Sequence, residues 1–186
     1  MSLSLVVIAA GALAFGLWRG GSLQALADTR VRWLLLLFEG LSIQVAFELW
    51  DPPGLTASHA VAVLLISNLA VGAFVALNWR VPGMLLIAAG LLLNTVVIAV
   101  NQAMPVSARA SSMAGLQAPS QTDDDLKHEP VTEDTKLGWL ADVIPIPGVK
   151  EVLSLGDVVM AAGIARLIYA RTTAERRFSK TTEASG

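Results

Sequence analysis

Pro82 to Asn101 reads PGMLLIAAGLLLNTVVIAVN, twenty residues without one charged side chain. A helix rises about 1.5 Å per residue, so such a run covers about 30 Å, the hydrocarbon thickness of a bilayer. At that depth every backbone amide must find its partner inside the chain, which a helix achieves by itself. Pro82 opens the run where its missing N–H is harmless. Four more apolar blocks have comparable length: Ser2 to Trp18, Trp33 to Trp50, Ser58 to Asn78 and Val152 to Arg171. Trp18, Trp33, Trp50 and Trp79 fall at block ends, where indole rings prefer the headgroup layer. The expected fold is all-α: an integral membrane bundle of five transmembrane helices with a long extracytoplasmic loop.

Composition agrees. Of 186 residues, 54% are hydrophobic and 15% are charged, against about a quarter charged in soluble domains. The absence of Cys removes disulfides, thiolate metal sites and cysteine nucleophiles. A net charge of −2 offers no nucleic-acid footprint. There is no P-loop, dinucleotide fingerprint, H-E-x-x-H or Ser-His-Asp set, so no cofactor and no metal are expected.

Lys and Arg in short flanks set the orientation. Arg19, Arg30 and Arg32 follow the first block, Arg80 follows the third, and Arg171, Arg176, Arg177 and Lys180 follow the fifth. The opposite side has no basic residue between Asp51 and Ala57, and a long segment rich in acids, including Asp123, Asp124, Asp125, Glu129 and Glu151. The N-terminus is therefore expected outside and the C-terminus in the cytoplasm. No basic residue precedes the first block, which suits a retained span rather than a cleaved signal. The units expected are a four-helix region (1–101), an acidic extracytoplasmic loop or lid (102–151), a fifth helix (152–171) and a cytoplasmic tail (172–186). Gly20 to Arg32 places Leu23, Leu26 and Ala27 on one helical face, as in a short helix on the inner membrane surface. Small residues at Ala12, Gly16 and Gly20, at Gly83 and Gly90, and at Gly156 and Gly163 have the spacing that lets helices approach closely.

Ionisable and amide side chains within a span are expensive and mark candidate sites. Glu39 lies near the middle of the second span, with Gln44 and Glu48 following. Asn68 is central in the third span, and Asn94 and Asn101 share a face of the fourth. Glu39 bonded to Asn68 or Asn94 would act as internal glue; alternatively the three could serve a small ion-coupled transporter. Asp157 sits about one turn into the fifth span.

Gln102 to Gln121 shows no periodicity and reads as a loop. Further on, Trp139, Leu140, Val143, Ile144 and Ile146 are too apolar for a free tether. They are expected against the bundle or in the headgroups, which would fold the segment back as a lid. His128, Glu133, Asp134 and Asp142 would then approach Glu48, Asn101 and Asp157. Thr132 before Glu133 could cap a short helix.

The run Leu91-Leu92-Leu93-Asn94, then Asn101-Gln102-Ala103-Met104-Pro105-Val106-Ser107, Lys127-His128, Thr132-Glu133-Asp134-Thr135, Asp142-Val143-Ile144-Pro145 and Ser154-Leu155-Gly156-Asp157-Val158 resembles an uncharacterised bacterial multi-pass membrane family, a domain of unknown function. The resemblance implies a bacterial integral membrane protein and no activity. Leu153 to Gly163 is also similar to the last helix of lipoprotein signal peptidases, where an Asn-x-Ala-Asp stretch leads into a helix. Ala141-Asp142-Val143-Ile144 is similar to that family's Val-Asp-Phe-Ile. This second resemblance implies an aspartyl dyad with Asp157 as one member and Asp142, Glu133 or Asp134 as the other. The Gly-Asn-x-x-Asp-Arg motif of those enzymes has no counterpart here, where the chain reads Val100-Asn101-Gln102-Ala103-Met104-Pro105. Three functions follow: a non-catalytic membrane protein binding an extracytoplasmic ligand or protein partner through its loop, an aspartyl-type hydrolase, and a transporter.

Overall fold

The computed structural model describes residues 3–49, 57–117 and 128–174. In chain order these form α1 (Leu3–Trp18), α2 (Leu23–Ala27), α3 (Leu34–Leu49), α4 (Ala57–Leu77), α5 (Met84–Asn101), β1 (Met104–Val106), α6 (Ala108–Ala114), β2 (His128–Pro130), β3 (Ile144–Ile146), β4 (Glu151–Leu153) and α7 (Leu155–Thr172). The chain is mostly helical, with two small two-stranded sheets that an all-α reading did not include. Among the described residues one helix, α5, is long and apolar enough to cross a membrane. Ser4–Trp18, Leu34–Ala46 and Val61–Leu77 are shorter apolar helical stretches.

The long helices pack as a row, in the order α1, α7, α5, α4 and α3, with each end helix resting chiefly on one neighbour. Close packing of α5 on α7 follows from the paired glycines. The helices run antiparallel, and two glycines seven residues apart on each bring Gly83 against Gly163 and Gly90 against Gly156. A Cβ on Gly163 would lie 2.8 Å from the Gly83 carbonyl oxygen, and one on Gly156 would lie 2.8 Å from that of Gly90. The expectation of tight packing within one chain holds at both pairs.

Amides and hydroxyls tie α3, α4 and α5 together. Gln44 Nε2 donates to Ser67 Oγ (2.9 Å) and Asn68 Oδ1 (3.2 Å), and Asn68 Nδ2 donates to Thr95 Oγ1 (3.1 Å). Thr95 returns a bond to the Leu91 carbonyl. Each of these amides and hydroxyls is thus bonded to a neighbour, as an apolar surrounding demands.

One end of the row is closed by the α1–α3 connector. Ser22 caps the expected short helix α2, accepting from Ala25 N at 3.1 Å, and α2 packs on α7. Asn78 then pins the chain before α3, its Oδ1 accepting from Arg32 N (2.7 Å) and its Nδ2 donating to Arg32 O (2.9 Å). Val71, Phe74, Val75, Val81 and Met84 form the hydrophobic core here.

At the other end the chain from 102 onward folds back as a cap. Gln102 takes a left-handed conformation (φ 63°) and turns the chain out of α5 into β1. The expected loop from Gln102 to Gln121 contains a strand and a helix as far as it is described. Ser107 caps α6 and Gly115 ends it, but seven residues are too few to show helical periodicity. Strand β1 pairs in parallel with β2, Met104 beside His128 and Val106 beside Pro130. On its other edge Val106 bridges to Asp142. β3 and β4 form an antiparallel pair leading into α7. Val61, Val97, Ile98, Met104 and Leu140 make one core shared by helices and cap. Trp139 does not join it: the ring is 65% exposed, and Leu140, at 3%, fills the space instead.

Candidate functional site

Asp157 stands in the first turn of α7. Ser154 is the N-cap, its Oγ accepting from Asp157 N (3.0 Å), while Asp157 Oδ2 accepts from Ser154 N (2.9 Å). This reciprocal arrangement is a capping box, and the negative side chain also suits the positive end of the helix dipole. Gly156 leaves room for the Asn94 side chain to reach across from α5. Asn94 Nδ2 donates to Asp157 Oδ1 at 2.8 Å, and Ser154 Oγ lies 2.9 Å from Asn94 Oδ1 and 2.8 Å from Asp157 Oδ2. Both oxygens of Asp157 are therefore engaged in holding α5, α7 and the cap junction.

Asp142 comes from the cap. Its backbone is fixed by Asp142 N donating to Pro105 O and Ser107 N donating to Asp142 O, each at 2.9 Å. Ladder partners point to the same face of a sheet, so Asp142 follows Val106, which is buried. The residue is 9% exposed, and its Oδ1 is buried with no hydrogen-bond partner among the described residues. Burial, then the charge of Asp157, push its pKa up from the ordinary carboxylate range to about 7, while His128 pulls the other way. A carboxyl raised in this way is able to give or take a proton and to accept a donor or a positive charge at Oδ1.

The other expected residues are distributed as follows. Asn101 holds the cap directly: Nδ2 donates to Lys136 O (2.9 Å) and to Val97 O (3.0 Å), and Oδ1 accepts from Lys136 N (2.9 Å). His128 is exposed on β2 and close enough to act on Asp142. Burial pushes the pKa of its neighbour Glu129 up. Glu133 and Asp134 are exposed on a turn closed by Thr135 N donating to Thr132 O at 3.2 Å, and not on a helix. The Glu48 side chain and the run Asp123, Asp124 and Asp125 lie outside the described residues. Asn68 serves the α3–α4–α5 network and Asn94 serves Asp157, whereas Glu39 is exposed on the outer face of α3. The expected bonds from Glu39 to Asn68 or Asn94 are not made, because the buried face of α3 is the one carrying Gly40 and Gln44. Glu39, Asn68 and Asn94 do not converge.

Three contributors were not singled out from the sequence, Ser154, Ser67 and Thr95. Ser154-x-x-Asp157 has the spacing of a capping box, which would have identified Ser154. Thr95 carried no signal. Among the described residues no group of three or more His, Asp and Glu could hold a metal ion.

No curated protein and no solved structure matches this chain. Residues 28–169, which include every helix from α3 to α5, the cap and nearly all of α7, match the profile of a family of unknown function, DUF5317. The chain belongs to that family.

Proposed function

We propose that this chain is a multi-pass protein of a bacterial cell membrane whose five apolar helices cross the bilayer, with the cap outside and the tail in the cytoplasm. The cap binds a ligand or a partner protein at the Asp142–Asp157 junction and catalyses nothing. Support for the membrane comes from the helix surfaces. Leu35, Leu69, Leu85 and Leu92 are each more than 60% exposed, and only 22% of α5 is buried. A soluble protein buries such a helix, whereas lipid solvates it. Reporter fusions to the two ends test the topology: they are expected in different compartments, and finding both in one would overturn it.

The observation that carries the function is the buried Oδ1 of Asp142, which has no partner among the described residues. An unsatisfied buried acceptor costs stability, and groups of this kind are retained where a site needs them. The ligand suited to it offers a hydrogen-bond donor or a positive charge. Asp142→Asn is expected to raise Tm while impairing growth of cells that depend on the protein. A fall in Tm with normal growth would overturn the binding site.

A second reading, an aspartyl-type hydrolase, is favoured by the influence of the Asp157 charge on the Asp142 carboxyl. Two neighbouring carboxyls whose proton affinities are driven apart can serve as acid and base on water. On that reading Asp142→Asn, Asp157→Asn and the double variant are equally null, since members of one catalytic unit are not additive. On the binding reading Asp142→Asn retains part of the function.

A further inference from the structure

The end of the row that Asn78 closes carries Arg19, Arg30 and Arg32 on one connector and Arg80 on the next, with Asp28 as the one acid of both. The two bonds between Asn78 and the Arg32 backbone draw the connectors together. Arg30, Arg32 and Trp33 thereby come beside Trp79 and Arg80. The three arginines of this group are exposed, and none is held in an ion pair among the described residues. The Arg80 guanidinium lies over the Trp79 ring, 5.1 Å from its centre, which steadies the cation without satisfying its N–H donors. Trp33 holds φ 56°, rare for a bulky residue, with its ring 62% exposed. Backbone strain of this kind gathers at ligand-binding sites. Directly beyond the arginines, Leu34 and Leu35 open α3 and Leu77 closes α4, all three exposed.

We propose that Arg30, Arg32 and Arg80 bind the phosphate of an anionic phospholipid in the cytoplasmic leaflet. Guanidinium forks present paired donors to phosphate oxygens. The indoles of Trp33 and Trp79 sit at headgroup depth, and the acyl chains run along Leu34, Leu35 and Leu77. The site matches both parts of such a molecule. A free phosphate would satisfy the arginines and leave the leucines and indoles unmatched, and a zwitterionic lipid carries its own cation beside the phosphate. The Asn78 clamp and the ring under Arg80 order the site before the lipid arrives, which lowers the cost of binding.

The inference rests on the membrane reading above, with this end of the row in the cytoplasm. Native mass spectrometry of the full chain in detergent, titrated with phosphatidylglycerol, phosphatidylcholine or inorganic phosphate, tests it. Phosphatidylglycerol is expected to bind more tightly than phosphatidylcholine. The double variant Arg32→Gln, Arg80→Gln is expected to bind phosphatidylglycerol about thirtyfold less tightly and to lose the preference. Arg109→Gln with Lys150→Gln, which removes two exposed charges from the cap, should bind as the wild type does. Equal binding of the two lipids, or equal losses in the two double variants, would overturn the site while leaving the membrane assignment standing. Displacement of phosphatidylglycerol by an equimolar amount of inorganic phosphate would likewise overturn it, in favour of a free phosphate. Recovery of the chain outside the membrane fraction of cells would overturn both readings.

Discussion

Asn101 and Lys136 pair as two residues of a β-ladder would, the side-chain amide of one accepting from and donating to the backbone of the other, 35 residues away. Asn78 does the same to Arg32 at the other end of the row, and each amide also bonds the carbonyl four residues back in its helix, Val97 or Phe74. An Asn at the end of a helix can thus anchor a distant segment without any apolar contact.

Asn101→Ala should therefore loosen the cap more than it destabilises the whole. The bonds to Lys136 are solvent-exposed, so about 1 kcal/mol is expected in global stability. Backbone amides around Lys136 should exchange hydrogen faster, and trypsin should cut after Lys136 more readily. Unchanged exchange and cleavage would show that Leu140 and its core hold the cap unaided.

The α5–α7 contact predicts a sharp dependence on side-chain size. Gly156→Val places carbon against the Gly90 carbonyl and against Asn94, and overpacking of this kind costs about 1–3 kcal/mol. Gly11, with nothing within 4 Å of an added Cβ, is the control, since Gly11→Ala should be neutral or slightly stabilising. Thermal unfolding in detergent separates the two, and similar Tm shifts for both would contradict close glycine packing.

How far the sequence carried the reading depends on the length over which each signal repeats. Apolar runs of seventeen residues and more announced the helices, and the seven-residue glycine spacing announced faces able to pack closely, though not which would meet, because both patterns extend over several turns. The cap was legible only as a segment too apolar to be free. Its strands are three residues long, and α6 spans two turns, so neither period had room to appear. At the site, Asp142 and Asp157 were named from the sequence, but their states were not. That Asp157 would be consumed by Ser154 and Asn94, and Asp142 left with a bare oxygen, depends on contacts between segments far apart in the chain. Glu39 was misread as internal because a helical period says which residues share a face but not which face turns inward.

Asn94→Leu tests how much the cross-helix bond holds. It removes the donor to Asp157 Oδ1 and leaves the capping box in place. Interhelical hydrogen bonds of this type are worth about 1 kcal/mol, so a small loss of Tm is expected, with the α7 first turn still helical. Ser154→Ala removes the cap itself and should cost about as much again. If Asn94→Leu leaves Tm unchanged, the bond adds position but not stability.

Asp142 makes stability depend on pH in a direction opposite to that of a salt-bridged acid. Its pKa is about 7 in the folded protein against the ordinary aspartate value of 3.8. Between those values the native state keeps a proton that the unfolded state has released, so stability falls as pH rises, by at most about 1.4 kcal/mol per pH unit. The contribution is fully present below the unfolded value and is lost by the time pH has risen through the folded one. Tm measured from pH 4 to pH 8 should therefore decline for the wild type relative to Asp142→Asn, and the two curves should run parallel above pH 8. Removing His128, whose charge favours the ionised carboxyl, should carry the decline to higher pH in His128→Ala without changing its limiting slope. Parallel wild-type and Asp142→Asn curves across the whole range would mean that the carboxyl is not buried as described.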